Sequence, residues 1–384
     1  MPTATTHRPL NFRTAILAAV IGLIPAAIAP ATAAGRTRHK PARHHTPPAV
    51  PQGFFGVDAS LTPGAEPGPQ FDSMVANGVQ SVRLEFYWSA MQPYAGSPTN
   101  FADSDQQVTL AASHGFSVMA IVLGAPGWDS KPRSNGYITV PRRDGPFGNF
   151  MKALIHRYGP NGSFWKQHPN LPRHPIRLWT VWNEPNFGFN WAPQPFVHSY
   201  VALLRVAHAA VKSADPGAKV VLAGVANQSW TTLQQIYSIR GARRFFDVVD
   251  VHPYTKNPSG VIEIIRRVRA TMARNGDGHK PIIVGEFTWP SSVGQSASRV
   301  FDTQTTEAGQ ASKLRAVLPL FAANRQRLGL LAVYYFTWMT HEFRGADTFD
   351  FAGLVAMRDF GPALHTVAKP ALAAFRTSVL KLEH

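Results

Sequence analysis

The chain has 384 residues, of which 45% are hydrophobic and 16% are charged, so a sizeable core is feasible and wholesale disorder is excluded. It contains no cysteine, which excludes disulfides, thiol catalysis and cysteine-bound metal centres. The formal net charge of +16 favours anionic surfaces, although such a field does not by itself assign a function.

Residues 1–34 have the pattern of a secretory signal peptide. Arg8 and Arg13 precede Ile16–Ala29, a short and mostly apolar run, and small residues follow it. The run is short for a membrane span and contains Pro25, so export with cleavage after residue 33 or 34 is favoured over a retained anchor. We therefore expect a secreted, extracellular protein that can stay associated with the cell envelope.

Residues 35–52 form a second segment that is rich in Pro, Arg and His and poor in apolar side chains. This composition predicts a disordered, extended linker. His39, His44 and His45 offer metal-binding side chains, but nothing in the segment sets their geometry. A cationic tether that contacts an anionic cell-envelope polymer is the favoured interpretation.

From residue 53 to residue 384, short β-rich runs alternate with longer segments of helical spacing. The predicted strands are Phe54–Val57, Ser81–Phe86, Ser117–Leu123, Arg177–Trp182, Lys219–Gly224, Val248–His252, Pro281–Glu286 and Leu331–Thr337. The clearest predicted helices are Phe150–Tyr158, Phe196–Ser213, Val261–Asn275, Glu307–Arg327 and Pro370–Leu382. Near-continuous apolar strands that alternate with helices are typical of parallel sheets buried on both faces.

Eight such alternations predict a single α/β domain, a (β/α)8 TIM barrel without an accessory β-domain. An open doubly wound sheet is the alternative, but no early strand is followed by a G-x-G-x-x-G turn. Two long loops, Gly124–Gly148 and Asn186–Pro195, follow the third and fourth strands. In a barrel both would border the C-terminal face, where active sites are built.

Two glutamates stand at the ends of buried strands. Glu184 follows RLWTVWN in the fourth strand, and Glu286 follows PIIVG in the seventh. A carboxylate at the end of an apolar run is unfavourable unless it is paired or used. Strands four and seven lie roughly opposite each other in a barrel, so both side chains can reach one central pit. This placement suits glycoside cleavage, which uses one carboxylic acid and one carboxylate.

The residues around these glutamates resemble retaining glycoside hydrolases of clan A, most closely family 39, which includes β-xylosidases and exopolysaccharide hydrolases. WTVWNEPNF resembles the acid/base segment of the clan, and IIVGEFTW resembles its nucleophile strand. SVRLEFYW, VLGAPGW, VDVHPY and VYYFTW resemble the second, third, sixth and eighth strands. The similarity covers nearly all of residues 53–384.

The resemblance implies a role for each matching residue. Glu184 would be the general acid/base and Glu286 the nucleophile, and Asn183 would bind the sugar 2-hydroxyl. Arg83 would be the counter-charge of Glu286, unless it pairs with Glu85 as a buried structural ion pair. The resemblance also implies contacts near the nucleophile and the sugar for three further residues, Tyr254, His252 and Trp338.

Trp128 and Trp191 lie in the two long loops, where flat rings would suit sugar stacking, although loop tryptophans also serve as ordinary hydrophobic plugs. The same open choice applies to Trp338 as a buried cap and to His252 as part of a His-Pro turn. The chain departs from the family in two respects. It lacks residues for the additional β-sandwich of family 39 β-xylosidases, and Gly124 stands where many relatives have a histidine.

Other classes of function are disfavoured. The chain has no H-E-x-x-H motif for a metal hydrolase and no G-x-S-x-G elbow for a serine hydrolase. The basic clusters at 240–244 and 266–269 lack a nucleic-acid-binding motif. We expect a secreted retaining β-glycosidase that hydrolyses a β-linked glycan, without cofactor, metal, nucleic acid or stable protein partner. A non-catalytic carbohydrate-binding barrel and a transglycosidase that uses the same glutamates remain the alternatives.

Overall fold

A computed structural model describes residues 49–61, 65–131, 138–295, 302–359 and 366–383 of the chain. The predicted signal peptide and almost all of the predicted linker lie outside the described residues, so both stay predictions. No helix in the described part of the chain is both long and apolar enough to cross a membrane.

The described residues form twelve strands and ten α-helices. The strands are β1 (Phe55–Asp58), β2 (Ser81–Tyr87), β3 (Ser117–Leu123), β4 (Leu178–Val181), β5 (Lys219–Leu222), β6 (Val225–Ala226), β7 (Val249–His252), β8 (Ile282–Phe287), β9 (Leu330–Tyr335), β10 (Met339–His341), β11 (Val355–Met357) and β12 (Thr366–Ala368). The helices are α1 (Pro67–Ala76), α2 (Trp88–Met91), α3 (Ala102–Ser113), α4 (Asp144–Tyr158), α5 (Ser163–Gln167), α6 (Val197–Ala214), α7 (Ser229–Ser238), α8 (Pro258–Arg274), α9 (Glu307–Leu328) and α10 (Pro370–Leu382).

Strands β1 to β9 form one parallel sheet in the order β5-β4-β3-β2-β1-β9-β8-β7-β6. β5 and β6 are two parts of the fifth barrel strand, which is interrupted at residues 223–224. The sheet closes because Val221 in β5 bridges to Val248, and because β6 pairs with β7. The prediction of a (β/α)8 barrel is therefore confirmed.

The apolar runs of the sequence explain why these strands form. All six residues of β8 and all four residues of β7 are buried, as expected when helices cover one face of a parallel sheet and the barrel interior fills the other. Each predicted strand overlaps an observed one. Helix α4 begins at Asp144, six residues before the predicted start. Pro146 falls in its first turn, where a missing N–H costs nothing.

A small sheet lies between the last barrel strand and α10. Strands β10, β11 and β12 form it in that order, and each has only three residues, too few for a recognisable sequence pattern. Buried Lys369 ties this insert to the barrel. Its Nζ donates to Glu342 Oε1 at 2.8 Å, to the Phe351 carbonyl at 2.8 Å and to Ser291 Oγ at 2.6 Å.

Candidate active site

Glu184 and Glu286 meet at the C-terminal mouth of the barrel. Glu184 follows β4 and is 4% exposed, while Glu286 lies in β8 and is 2% exposed. One carboxylate oxygen of each, together with a ring nitrogen of His252, lie within 4.8 Å of one another. The fold thus brings together the two carboxylates that lie 102 positions apart in the chain.

The backbone after β4 is held in an unusual conformation that aims Glu184 inward. Trp182 and Glu184 have φ values of 75° and 44°, in the left-handed region that non-glycine residues rarely adopt. Hydrogen bonds hold this segment, because the Glu184 N–H donates to the Gly224 carbonyl at 3.1 Å and the Trp182 N–H to the Val122 carbonyl at 2.9 Å. Strained backbone of this kind is concentrated at functional sites in proteins.

Arg83 links the first strands of the barrel to the site. Its fully buried guanidinium forms ion pairs with Asp58 and, at 2.6 Å, with Glu286. The same group donates to Asn183 Oδ1 at 3.2 Å. The partners of Arg83 are therefore Asp58 and Glu286, and the structure contains no ion pair between Arg83 and Glu85. Arg83 has no exposed surface and contacts the carboxylates and the amide; its predicted part in substrate binding stays a prediction.

His252 lies between three carboxylates. Its Nδ1 is 2.9 Å from Glu184 Oε1 and 3.4 Å from Glu286 Oε2, and its Nε2 is 3.7 Å from Asp250 Oδ2. Burial disfavours a charged ring, but the negative charges of Glu286, Asp250 and Glu184 outweigh it and raise the pKa of His252 to about 10. His252 is therefore an imidazolium at neutral pH. It is fully buried and its partners are the carboxylates, while its predicted contact with substrate stays a prediction.

The two glutamates are tuned in opposite directions. Burial raises the pKa of Glu184, although the hydrogen bond with His252 acts the other way. Burial also opposes ionisation of Glu286, but the charges of His252 and Arg83 and the hydrogen bond from Tyr254 outweigh it and lower its pKa. The Tyr254 hydroxyl donates to Glu286 Oε2 at 2.6 Å. The site thus contains one carboxyl group that favours its acid form and one that favours its anion.

Two glycines make room for these side chains. A Cβ atom on Gly224 would lie 1.9 Å from His252 Nε2, and a Cβ atom on Gly285 would lie 2.4 Å from the Asp250 carboxylate. The Gly285 N–H donates to Asp250 Oδ1 at 2.7 Å. Any side chain at either position would displace the group that it meets.

Asp58 and Asp250 belong to the site but were missing from the sequence prediction. Both are fully buried, at the end of β1 and inside β7 respectively. The signal that singled out the two glutamates, a carboxylate within or at the end of a buried apolar run, also applies to FGVD and VDVH.

The three tryptophans predicted for sugar binding are placed differently from one another. Trp191 is 1% exposed, packs edge-on against Trp182 and donates to Ser199 Oγ, an arrangement typical of a core residue; its stacking role stays a prediction. Trp338 is fully buried and donates to Gln70 Oε1 at 3.0 Å, as a buried cap would; its role as a sugar floor stays a prediction. Trp128 is half-buried beside the long loop after β3, and its stacking role stays a prediction.

Glu184, His252 and Glu286 are also the group of described residues whose ligand atoms lie close enough to hold a metal ion. The guanidinium of Arg83 and the imidazolium of His252 already supply positive charge there, at 2.6 Å and 3.4 Å from Glu286. A cation would be repelled by both. The donor set therefore fits proton chemistry better than metal binding.

Solved structures similar to this chain include barrels of clan A glycoside hydrolases. A family 39 glycoside hydrolase from Bacteroides cellulosilyticus superposes with a TM-score of 0.67 at 17% identity, covering 87% of this chain and 64% of its own. The catalytic domain of a family 53 protein from Ignisphaera aggregans gives 0.55 at 20% identity, with 87% and 98% covered. A family 5 subfamily 18 protein from Streptomyces cattleya, solved with Manβ1-4GlcNAc, gives 0.61 at 17% identity, with 85% and 80% covered.

The chain therefore spans less than two thirds of the length of the family 39 structure. The resemblance to a clan A barrel is confirmed at the level of the fold. No model of a known protein family matches the sequence, and no curated protein matches it either.

Proposed function

We propose that the protein is a retaining β-glycosidase that cleaves O-glycosidic bonds by double displacement. The observation that carries the proposal is the Glu184–Glu286 pair, in which one oxygen of each carboxylate lies within 4.8 Å of the other and the pKa shifts are opposite. Retaining glycosidases hold their carboxyl groups ~5–5.5 Å apart, whereas inverting enzymes need ~6.5–9.5 Å to admit a water molecule. The spacing in this barrel supports retention.

In the first step, ionised Glu286 attacks the anomeric carbon and Glu184 donates its proton to the departing oxygen. Arg83 and Tyr254 hold the attacking carboxylate in place through contacts of 2.6 Å each. The bond from Glu286 to the sugar forms as the bond to the leaving oxygen breaks, and the leaving group departs as an alcohol.

In the second step, Glu184 acts as the base. Esterified Glu286 has lost its negative charge, which had helped to keep Glu184 protonated. The Glu184 carboxylate then takes a proton from water, the oxygen of that water attacks the anomeric carbon, and Glu286 leaves as a carboxylate. Two inversions give net retention of the anomeric configuration.

Asn183 is oriented for the sugar. Its Oδ1 accepts from Arg83 at 3.2 Å, so the amide nitrogen is left to donate elsewhere. Asn183 is only partly buried, unlike its neighbour Glu184. We assign its amide N–H to the 2-hydroxyl of the sugar bound at the cleavage site, a contact that tightens in the transition state.

Chemical rescue tests the two roles separately. Glu184→Gln and Glu286→Gln should each reduce turnover by about 10³-fold or more on an unactivated β-glycoside while the protein stays folded. With added azide, Glu286→Ala should form the α-glycosyl azide, since azide enters directly. Glu184→Ala should form the β-glycosyl azide, since azide then attacks the glycosyl-enzyme. Near-normal turnover by a Glu286 variant would rule the assignment out.

An activity screen tests for hydrolysis and identifies the substrate. It measures cleavage of aryl β-glycosides, soluble β-glucans, xylans, β-mannosides and acidic exopolysaccharides, with the Glu184→Gln variant as the inactive control. Cleavage by the unaltered protein with retained anomeric configuration is the expected result. Products extended by an added sugar acceptor would favour a transglycosidase. Binding to one glycan without turnover would favour a carbohydrate-binding barrel.

We also propose that the protein acts outside the cell, on the grounds of the signal-peptide pattern of residues 1–34. Sequencing the N-terminus of the protein recovered from culture medium tests this proposal. A start at residue 34 or 35 is the expected result, and retention of residue 1 in the cell pellet would contradict it.

A further inference from the structure

A second concentration of charge lies at the N-terminal end of the barrel, opposite the two glutamates. In a (β/α)8 barrel this end is built by the segments that join each helix to the next strand. We define the cationic face as residues 159–177, 215–218, 239–248 and 275–281 with the element ends that border them. These segments are adjacent because the strands that they precede, β4, β5, β7 and β8, are neighbours in the barrel.

Basic side chains dominate the cationic face. Each of its three carboxylates already has a basic partner: the pairs are Asp215–Arg177 at 3.7 Å, Asp247–Lys212 at 2.8 Å and Asp277–Lys280 at 2.8 Å. Seven further basic residues are exposed and form no ion pair with a described residue, namely Lys166, Arg173, Lys219, Arg240, Arg243, Arg244 and Arg274. The face therefore carries a large uncompensated positive charge.

Two clefts lie on the cationic face, and basic side chains border both. One has a volume of about 250 Å³ and is bordered by Arg243 and Arg244. The other has a volume of about 370 Å³ and is bordered by Lys166 and Arg173. Each cleft thus combines a concave surface with two cations. A chain with anionic groups along its length suits a face that carries two such clefts.

We propose that the cationic face is a docking surface for an acidic polysaccharide. Carboxylates along the polymer would bind the paired basic side chains of the two clefts, and arginine presents a planar fork that matches a carboxylate. Proteins that bind single-stranded nucleic acid usually offer exposed aromatic rings for base stacking. The aromatic residues that line the clefts are half-buried Tyr237 and buried Trp165, and none of the large exposed hydrophobic side chains of the described residues lies on this face. This favours the polysaccharide.

The location has a functional consequence. The polymer would bind at the end of the barrel opposite Glu184 and Glu286, so it would hold the protein on an anionic matrix and leave the mouth of the barrel free. This proposal does not depend on hydrolysis at the two glutamates, and its failure would leave the proposed activity untouched.

Charge reversal tests the docking surface with the full chain and sodium polygalacturonate as the probe. Arg240→Glu with Arg244→Glu changes two exposed side chains that form no side-chain hydrogen bond with described residues. At about 50 mM salt we expect affinity to fall by at least about tenfold, with a shallower salt dependence, because fewer counterions are released on binding. Lys166→Glu with Arg173→Glu should have a similar effect, since the polymer spans both clefts.

Arg315→Glu with Arg376→Glu is the matched control. It makes the same change in net charge on the outer surfaces of α9 and α10 and should alter affinity by less than about twofold. Equal weakening by the control would show a net-charge effect and overturn the proposal. Unchanged affinity in both face variants would do the same and would move the binding to residues 35–52. Tighter binding of a single-stranded oligonucleotide of equal charge would overturn the choice of ligand.

Discussion

His252 is the residue that couples the two carboxyl groups. It is the buried cation closest to Glu184, at 2.9 Å, and it lies 3.4 Å from Glu286. Its charge lowers the pKa of both glutamates, while burial and the Glu286 charge keep the pKa of Glu184 above its ordinary value. The difference in pKa between Glu184 and Glu286 therefore depends on the surrounding residues Arg83, Tyr254, Asp250 and His252, and not on either glutamate alone.

The pH dependence of kcat/KM should reveal this coupling. Activity requires ionised Glu286 and protonated Glu184, so the profile is a bell whose acidic limb reports Glu286 and whose alkaline limb reports Glu184. His252→Gln removes a positive charge that lowers both pKa values. Both limbs should therefore move to higher pH, and a shift of one pH unit in a limb corresponds to about 1.4 kcal/mol.

His208→Gln is the control for that experiment, because His208 lies on helix α6, away from Glu184 and Glu286. Its profile should match that of the unaltered protein. A His252→Gln profile in which the limbs stay in place, or move towards lower pH, would contradict an imidazolium between the glutamates.

Among the elements, the ends of the barrel strands decide the geometry of the site. The fifth barrel strand is interrupted between β5 and β6, where Gly224 accepts a hydrogen bond from the Glu184 N–H at 3.1 Å and lies against His252. One glycine thus positions the backbone of the proposed acid/base and the ring that hydrogen-bonds to it.

Gly224→Ala should therefore disable the site without unfolding the barrel. A Cβ atom 1.9 Å from His252 Nε2 must displace the ring, and a misplacement of about 1 Å in a catalytic group can cost about 10²-fold in rate. Steady-state kinetics with a thermal melt separates the two effects. Gly145→Ala in α4 is the control, because a Cβ atom there meets no atom within 4 Å. Unchanged turnover in Gly224→Ala would show that the ring can move freely.

For the whole molecule, side-chain contacts of Lys369 connect the barrel to the segments that follow its last strand. Lys369 precedes α10 and binds Ser291 after β8, Glu342 after β10 and the Phe351 carbonyl. Burial lowers the pKa of Lys369, although the nearby Glu342 acts the other way. Lys369 thus connects the loop after β8, the small sheet and helix α10.

Lys369→Met should lower the free energy of unfolding by about 2–4 kcal/mol. It keeps the length of the side chain but leaves Glu342 without its buried partner and removes one donor from the Phe351 carbonyl, which keeps the Ser291 N–H at 3.1 Å. Urea unfolding monitored by tryptophan fluorescence measures the change. Lys381→Met, at an exposed position on α10, should change it by less than about 0.5 kcal/mol. Equal effects of the two substitutions would show that the hydrogen bonds of Lys369 do not contribute to the free energy of unfolding.

The amino-acid sequence was sufficient for the order of the barrel strands and for the placement of Glu184 and Glu286 at the ends of two of them. Buried parallel strands read as continuous apolar runs, and a carboxylate at the end of such a run is conspicuous because burial of an unpaired charge is costly. Barrel topology then places the ends of strands four and seven at one mouth. These inferences use only local patterns and a general rule of the fold, so they do not depend on knowing the tertiary contacts.

The tertiary structure alone decided which residues contact one another. Arg83 pairs with Asp58 and Glu286 instead of Glu85, Asp250 faces His252, and Trp191 packs into the core. Each outcome depends on distances between side chains from different strands, which composition and periodicity do not encode. The same is true of the cationic face, since its basic residues come from four separate segments that only the closure of the barrel brings together.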